Sequence, residues 1–175
     1  MCALAYYTYE DYVQWEGDWE LIYGQAIAMA PAPMISHQTV MASILSQFYT
    51  QLEECEECLA VAEEDWKIAD DTVVRPDVVV VCGKFDKYIT KAPEIVVEIV
   101  SASTAKKDEK IKFKLYEDEK VPYYILVYPE DKRAKIYKLK SGKYEKIGDF
   151  LEESFTFDDI ACPVSLDFKR AFKKI

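Results

Sequence analysis

The chain has 175 residues, of which 22 are Lys or Arg and 32 are Asp or Glu, for a net charge of −10. Half of the residues are hydrophobic and Gly and Pro number only 5 and 7, which excludes disordered and fibrous classes and leaves one folded domain spanning residues 1–175. No apolar run approaches the roughly 18 residues of a membrane helix, and the N-terminal MCALAYYTYEDY lacks the order of a signal peptide, so a cytoplasmic protein is expected.

Thr8 can cap a short helix over residues 9–15. Residues 19–22 and 25–29 flank Gly24 and read as a hairpin, and Ala30, Pro31, Ala32 and Pro33 break the pattern. From Ser36 to about Glu54, Val40, Met41, Ile44, Leu45, Phe48, Tyr49 and Leu52 share one helical face, which reads as core. His37 lies in the first turn of this helix, where the dipole disfavours an imidazolium; it either caps and packs or stands near an active site. Residues 61–68 suggest a strand that turns at Asp70-Asp71 into the next one.

Five cysteines, at positions 2, 55, 58, 82 and 162, form no even framework, so reduced thiols are expected. Cys55-Glu56-Glu57-Cys58 has the spacing of a zinc half-site or redox pair. It shows no second half in sequence, and its acidic flank raises the thiol pKa values, so a structural role is the leading reading.

The centre of the sequence carries the chemistry. Val78–Cys82 and residues 95–100 are short, mostly β-branched runs that read as buried strands, yet Asp77 begins the first and Glu98 stands near the end of the second. Antiparallel pairing makes these two carboxylates neighbours. Buried carboxylates are costly unless paired, protonated or bound to a metal, and two together suggest a site for a hard divalent cation. Ser101, Ser103 and Thr104 then supply helix caps, and Asp108, Lys112 and Tyr116 recur at four-residue spacing on one helical face. Residues 123–127 add another strand, residues 132–138 alternate, Ser141-Gly142 turns, residues 144–147 pair back, and the tail over residues 151–175 reads as a short strand and a terminal helix.

Trp19-Glu20-Leu21-Ile22-Tyr23-Gly24, His37-Gln38, Arg75-Pro76-Asp77-Val78, Val97-Glu98-Ile99-Val100-Ser101 and Thr104, Asp108, Lys112 and Tyr116, in this order, resemble the Uma-two-type restriction endonuclease family. That family falls in the PD-(D/E)XK nuclease superfamily. The resemblance implies an α/β (α+β) restriction-endonuclease-like core, with a central mixed β-sheet flanked by helices. It also implies an endonuclease that hydrolyses phosphodiester bonds in DNA with Mg²⁺, or Mn²⁺ in its place, and a homodimer.

The residue types alone define roles for such a reaction. Asp77 and Glu98 would hold the cation, and the resemblance adds the Ile99 carbonyl as a third ligand. Lys112 would supply the ammonium that stabilises charge on the phosphate, with Lys110 as its competitor because the superfamily's usual lysine position is occupied here by Val100. Glu20 is a further candidate catalytic or metal-site residue. The resemblance also makes Asp108 a partner that would orient Lys112, while His37 and Ser101 would line the site. Plainer readings stand beside these: Glu20 as an exposed strand residue, Asp108 and Lys112 as a surface ion pair, Tyr116 as core, and Asp77 as a strand cap. Lysines between Lys106 and Lys114 offer a local basic patch for the DNA backbone, against a surface whose acidity would repel it. The alternatives are a catalytically weak or inactive nuclease-like binding module and a metal-dependent hydrolase of a small phosphoester.

Overall fold

The computed structural model describes residues 5–29, 34–84 and 87–175; the break expected at residues 30–33 and Cys2 lie outside them. Its elements are α1 (Tyr9–Tyr12), β1 (Trp19–Ile22), β2 (Gln25–Ala28), α2 (Ile35–Leu52), β3 (Cys58–Ala62), β4 (Trp66–Ala69), β5 (Thr72–Val74), β6 (Val78–Cys82) and β7 (Ile95–Ile99). A π-helical turn (Lys107–Lys112) then runs into α3 (Phe113–Asp118), followed by β8 (Tyr123–Tyr128), β9 (Arg133–Lys140), β10 (Lys143–Phe150), β11 (Ser154–Phe157), β12 (Val164–Asp167) and α4 (Phe168–Ala171).

The central sheet has six strands in the order β10-β9-β8-β7-β6-β3. It is mixed, since β7 and β8 pair in parallel while the other neighbours are antiparallel. A parallel pair needs a crossover, and here the crossover carries the π turn and α3. A second sheet, β2-β1-β5-β4, lies beside the first, and β11 pairs with β12. This is the α+β architecture expected, with one revision. The single strand read over residues 61–68 is two strands in two different sheets, because Glu63, Glu64 and Asp65 part them and β4 pairs with β5 rather than continuing β3.

Local chemistry explains the tight turns. Ile22 pairs with Gln25 across the two-residue loop Tyr23-Gly24, and both loop residues have positive φ, 50° and 74°. That is the backbone twist antiparallel strands favour, and glycine adopts it freely. Ser141-Gly142 repeats the device between β9 and β10.

The two faces of the central sheet have different cores. On one, Val78, Val80, Ile95, Val97, Ile99, Ile125 and Val127 meet the α2 stripe of Val40, Met41, Ile44, Phe48 and Leu52. Tyr49, expected on that stripe, is 60 % exposed. On the other face, Val79, Val96, Tyr124 and Leu126 meet Trp66, Leu115 and Tyr116.

The cysteines depart from expectation. Cys55 is joined to Cys162, and Cys58 to Cys82, its cross-strand partner on β6. Partners 107 and 24 residues apart cannot be matched from spacing, which is why the sequence showed no framework.

Candidate active site

The register places Val78 opposite Val97, so Asp77 and Glu98 face one another at the end of the β6–β7 pair. Alternation along the strands sends Glu98 to the same face as Val96 and Val100, the face covered by α3. Asp77 Oδ2 accepts the Ile99 amide at 2.6 Å and lies 3.4 Å from His37 Nε2. Asp77 is thereby tied to the neighbouring strand rather than merely ending its own. A cleft of about 430 Å³ opens here, and Asp77, Glu98, Ile99, Ser101, Asp108, Lys112, Lys107 and His37 are among its lining residues.

Lys112 is the centre of charge. Its side chain is 2 % exposed, and its Nζ lies 2.6 Å from Glu20 Oε1 and 2.8 Å from Glu98 Oε1. Tyr116 also donates to Glu98 Oε1 at 2.8 Å. Burial works against a charge on Lys112, but the carboxylates of Glu20, Glu98 and Asp108 outweigh it and hold the ammonium well above its ordinary pKa. Glu20 comes from the second sheet and is fully buried. Burial opposes its charge, yet Lys112 and Lys107 bring it down to about 2, and the Arg75 amide donates to its Oε1 at 3.0 Å. Glu98 goes the other way: burial, reinforced by Asp108, Asp77 and Glu20 against the pull of Lys112, pushes it up to about 8.

The structure thus brings Asp77, Glu98, Lys112 and Glu20 together, and Glu20 is no exposed strand residue. Ser101 lies at the rim, where its hydroxyl is within 2.9 Å of the Ser103 hydroxyl. Three expectations are corrected. Lys110 is exposed and away from the cluster, because the π turn directs Lys112 inward and Lys110 outward. Asp108 makes no direct ion pair with Lys112, surface or buried, because the lysine bonds Glu20 and Glu98; the charge of Asp108 acts on Lys112 from further off. His37 is raised, not lowered: burial acts to lower it, but Asp77, with Glu63 and Asp108 behind, prevails over burial.

Two participants escaped the sequence reading. Lys107 Nζ bonds Glu20 Oε2 at 2.7 Å, completing a bridge from the crossover to β1. Arg75 fastens the β5–β6 connection through Asp65 and Asp18, each at 2.8 Å. The Lys107 position was readable only as part of a lysine run, and no spacing rule distinguishes it from Lys106. The basic patch is correspondingly smaller than counted, because Lys107 and Lys112 are committed inward and Lys114 bonds Asp118 and Glu117.

The donor set fits a hard cation. Four buried or half-buried carboxylates (Glu20, Asp77, Glu98 and Asp108) face two lysines, and Asp108 Oδ1 is a buried oxygen without a hydrogen-bond partner. Burial, offset in part by Lys112, raises the Asp108 pKa. Surplus buried acidity with an orphan oxygen is what an oxygen-seeking dication neutralises. Asp77 and Glu98 would hold it, with Ile99 and Asp108 at hand.

Comparison with known proteins bears on the family and the fold. The model of the Uma2 family, described as "Putative restriction endonuclease", matches residues 9–161. The chain is similar to a crystal structure from Anabaena variabilis described as a putative nuclease belonging to DUF820, with a TM-score of 0.77 and 17 % identity over 95 % of this chain and 97 % of that one. A search of curated proteins finds no match. Among the described residues no helix is long and apolar enough to cross a membrane.

Proposed function

Since the chain belongs to the Uma2 family, we propose that it is a metal-dependent DNA endonuclease whose active centre is Asp77, Glu98 and Lys112. One observation carries this reading: two acidic residues meet across an antiparallel register beside a buried lysine that lines a cleft.

Mg²⁺ or Mn²⁺, held by Asp77 and Glu98, would supply Lewis-acid polarisation of a phosphoryl oxygen. The remaining work falls to the chain. Lys112 offers a preorganised positive charge to the phosphate as negative charge builds on it, and burial makes that charge act more strongly than it would in water. Glu20 and Tyr116 fix the lysine and the Glu98 carboxylate in place, so little reorganisation is needed during reaction. His37 Nε2, 3.4 Å from Asp77 Oδ2, helps to orient that carboxylate. Lys107 reaches the cleft and can meet a backbone phosphate at its edge.

The test is plasmid nicking with Mg²⁺ or Mn²⁺ at low salt, comparing wild type with Asp77→Ala, Glu98→Ala and Lys112→Ala. Nicking that all three changes abolish supports the assignment; equal cleavage by all four proteins refutes it. A second reading, a nuclease-like binding module without turnover, is favoured by the net charge of −10 and by Asp18, Glu63 and Glu130 on the cleft wall. It predicts retained cation binding with no cleavage at any salt concentration.

A further inference from the structure

Away from the cleft, four cysteines converge on one point. Cys55 follows the C-terminal end of α2, Cys58 opens β3, Cys82 closes β6, and Cys162 lies just before β12. The two disulfides are not separate staples. The sulfurs of the bonded pair Cys55 and Cys162 and that of Cys58, from the other pair, all lie within 4.8 Å of one another, and Cys82 is bonded to Cys58. Tetrahedral zinc with four thiolates places its sulfurs roughly 3.8 Å apart, from Zn–S bonds of about 2.3 Å. Cys55, Cys58 and Cys162 already sit near that spacing, and Cys82 would have to swing in once its bond to Cys58 is broken.

A second observation points the same way. The Cys58 amide donates to Cys55 Sγ at 3.1 Å. An N–H aimed at sulfur stabilises negative charge there, as hydrogen bonds to the ligands of metal sites do. Cys55 and Cys58 have half-site spacing, and the fold brings Cys82 and Cys162 beside them from 24 and 107 positions away from their partners.

We propose that in its reduced form the protein binds one Zn²⁺ through Cys55, Cys58, Cys82 and Cys162. The balance is explicit. Each disulfide takes two electrons and two protons from a dithiol reductant, which leaves as its own disulfide. Zn²⁺ binding then forms four S–Zn bonds and releases the four thiol protons. The acidic run Glu53, Glu54, Glu56 and Glu57 disfavours free thiolates, so deprotonation is tied to arrival of the cation. Soft sulfur donors also separate this site from the oxygen-lined cleft. Cys82 and Asp77 lie at opposite ends of β6, about 16 Å apart at strand rise.

The experiment uses the full chain carrying Cys2→Ser, fully reduced with a phosphine, and titrated with Zn²⁺ and separately with Co²⁺. Expected are one zinc per chain after gel filtration, four thiols shielded from an alkylating reagent, and a thiolate-to-cobalt charge-transfer band. Cys162→Ser is expected to weaken zinc binding about a hundredfold or more, the scale on which lost metal-site support is felt. Asp77→Ala is expected to leave the band intact. Confirmed reduced thiols with no retained zinc and no charge-transfer band, in the Cys2→Ser protein itself, would overturn the proposal and leave two disulfides only. A band that survives Cys55→Ser and Cys162→Ser together would equally overturn it.

Discussion

The two faces of the central sheet are built on opposite principles. Toward α2, the side chains of β6, β7 and β8 are mostly aliphatic, joined by Cys82 and Tyr123, and their packing against Val40, Ile44 and Phe48 asks for volume and shape rather than for particular polar partners. Toward α3, the same strands present Glu98 and Tyr124 to Lys112, Tyr116 and Glu20, where each polar atom needs a particular partner. Tyr116 stacks near Trp66 and meets Tyr124 edge-on, so the charge cluster is walled by aromatic rings that keep water out. One face makes the fold stable. The other makes it specific, at a cost the first must offset.

The largest separation between the faces is expected in catalysis. Glu98→Gln should reduce nicking by about a thousandfold or more while leaving circular dichroism unchanged, whereas Ile125→Ala on the opposite face should leave the rate per folded molecule nearly intact. A smaller loss for Glu98→Gln than for Ile125→Ala would erase the distinction. Next comes stability. Glu20→Ala leaves Lys112 with half its neutralising charge and should cost about 3–5 kcal/mol, and Ile125→Ala should cost about 2–5 kcal/mol from its cavity. Urea unfolding measures both. Only the first is expected to change with pH.

The pH response is sharper still as a discriminator. Glu98 is raised to about 8 in the fold, so a cation must displace its proton below that pH. Divalent-cation affinity, by calorimetry, should therefore rise about tenfold per pH unit up to about 8 and then level off. In the cation-free protein, the stability that a raised Glu98 contributes is present below about 4.5 and lost as pH climbs toward 8. Glu20, lowered to about 2, contributes the reverse: stability present above about 4.5 and lost as pH falls toward 2. A flat affinity from pH 6 to 8 would contradict the Glu98 assignment. The smallest effect is Tyr116→Phe, which removes one hydrogen bond to a carboxylate and should cost about 1.5–3 kcal/mol in unfolding experiments while keeping the ring stack.

Much of the α3 face was legible because charge breaks a pattern. Asp77 and Glu98 stand out in runs of Val and Ile, and strand pairing follows from their length and order. The four-residue recurrence put Asp108, Lys112 and Tyr116 on one face, and all three are buried, although the backbone there is a π turn and not the regular helix assumed. That irregularity is why Lys107 was missed and Lys110 overvalued: an added residue per turn rotates the lysines that follow it, and lysine runs carry no mark of it. The second sheet was half-read, because Asp70-Asp71 shows a turn but nothing in residues 61–68 says that the chain changes sheets. The cysteine cluster was illegible for a different reason. Its members are brought together by the ends of β3 and β6 and by the segment before β12, and sequence separation hides all three.

The parallel pairing of β7 with β8 has a consequence for how the chain reaches this state. Every other neighbour in the central sheet is reached by reversing direction, but β8 must wait for residues 100–122 to cross over. Closing that excursion is expected to be the slowest step in assembling the sheet, since it costs chain entropy before its contacts repay it. The crossover carries Lys112, so the same event strips water from an ammonium before all of its acceptors are in place. Replacing it with a neutral chain of similar length, Lys112→Met, is expected to quicken refolding in stopped-flow measurements even as it removes catalysis. The reaction centre would then be the brake on the protein's own birth.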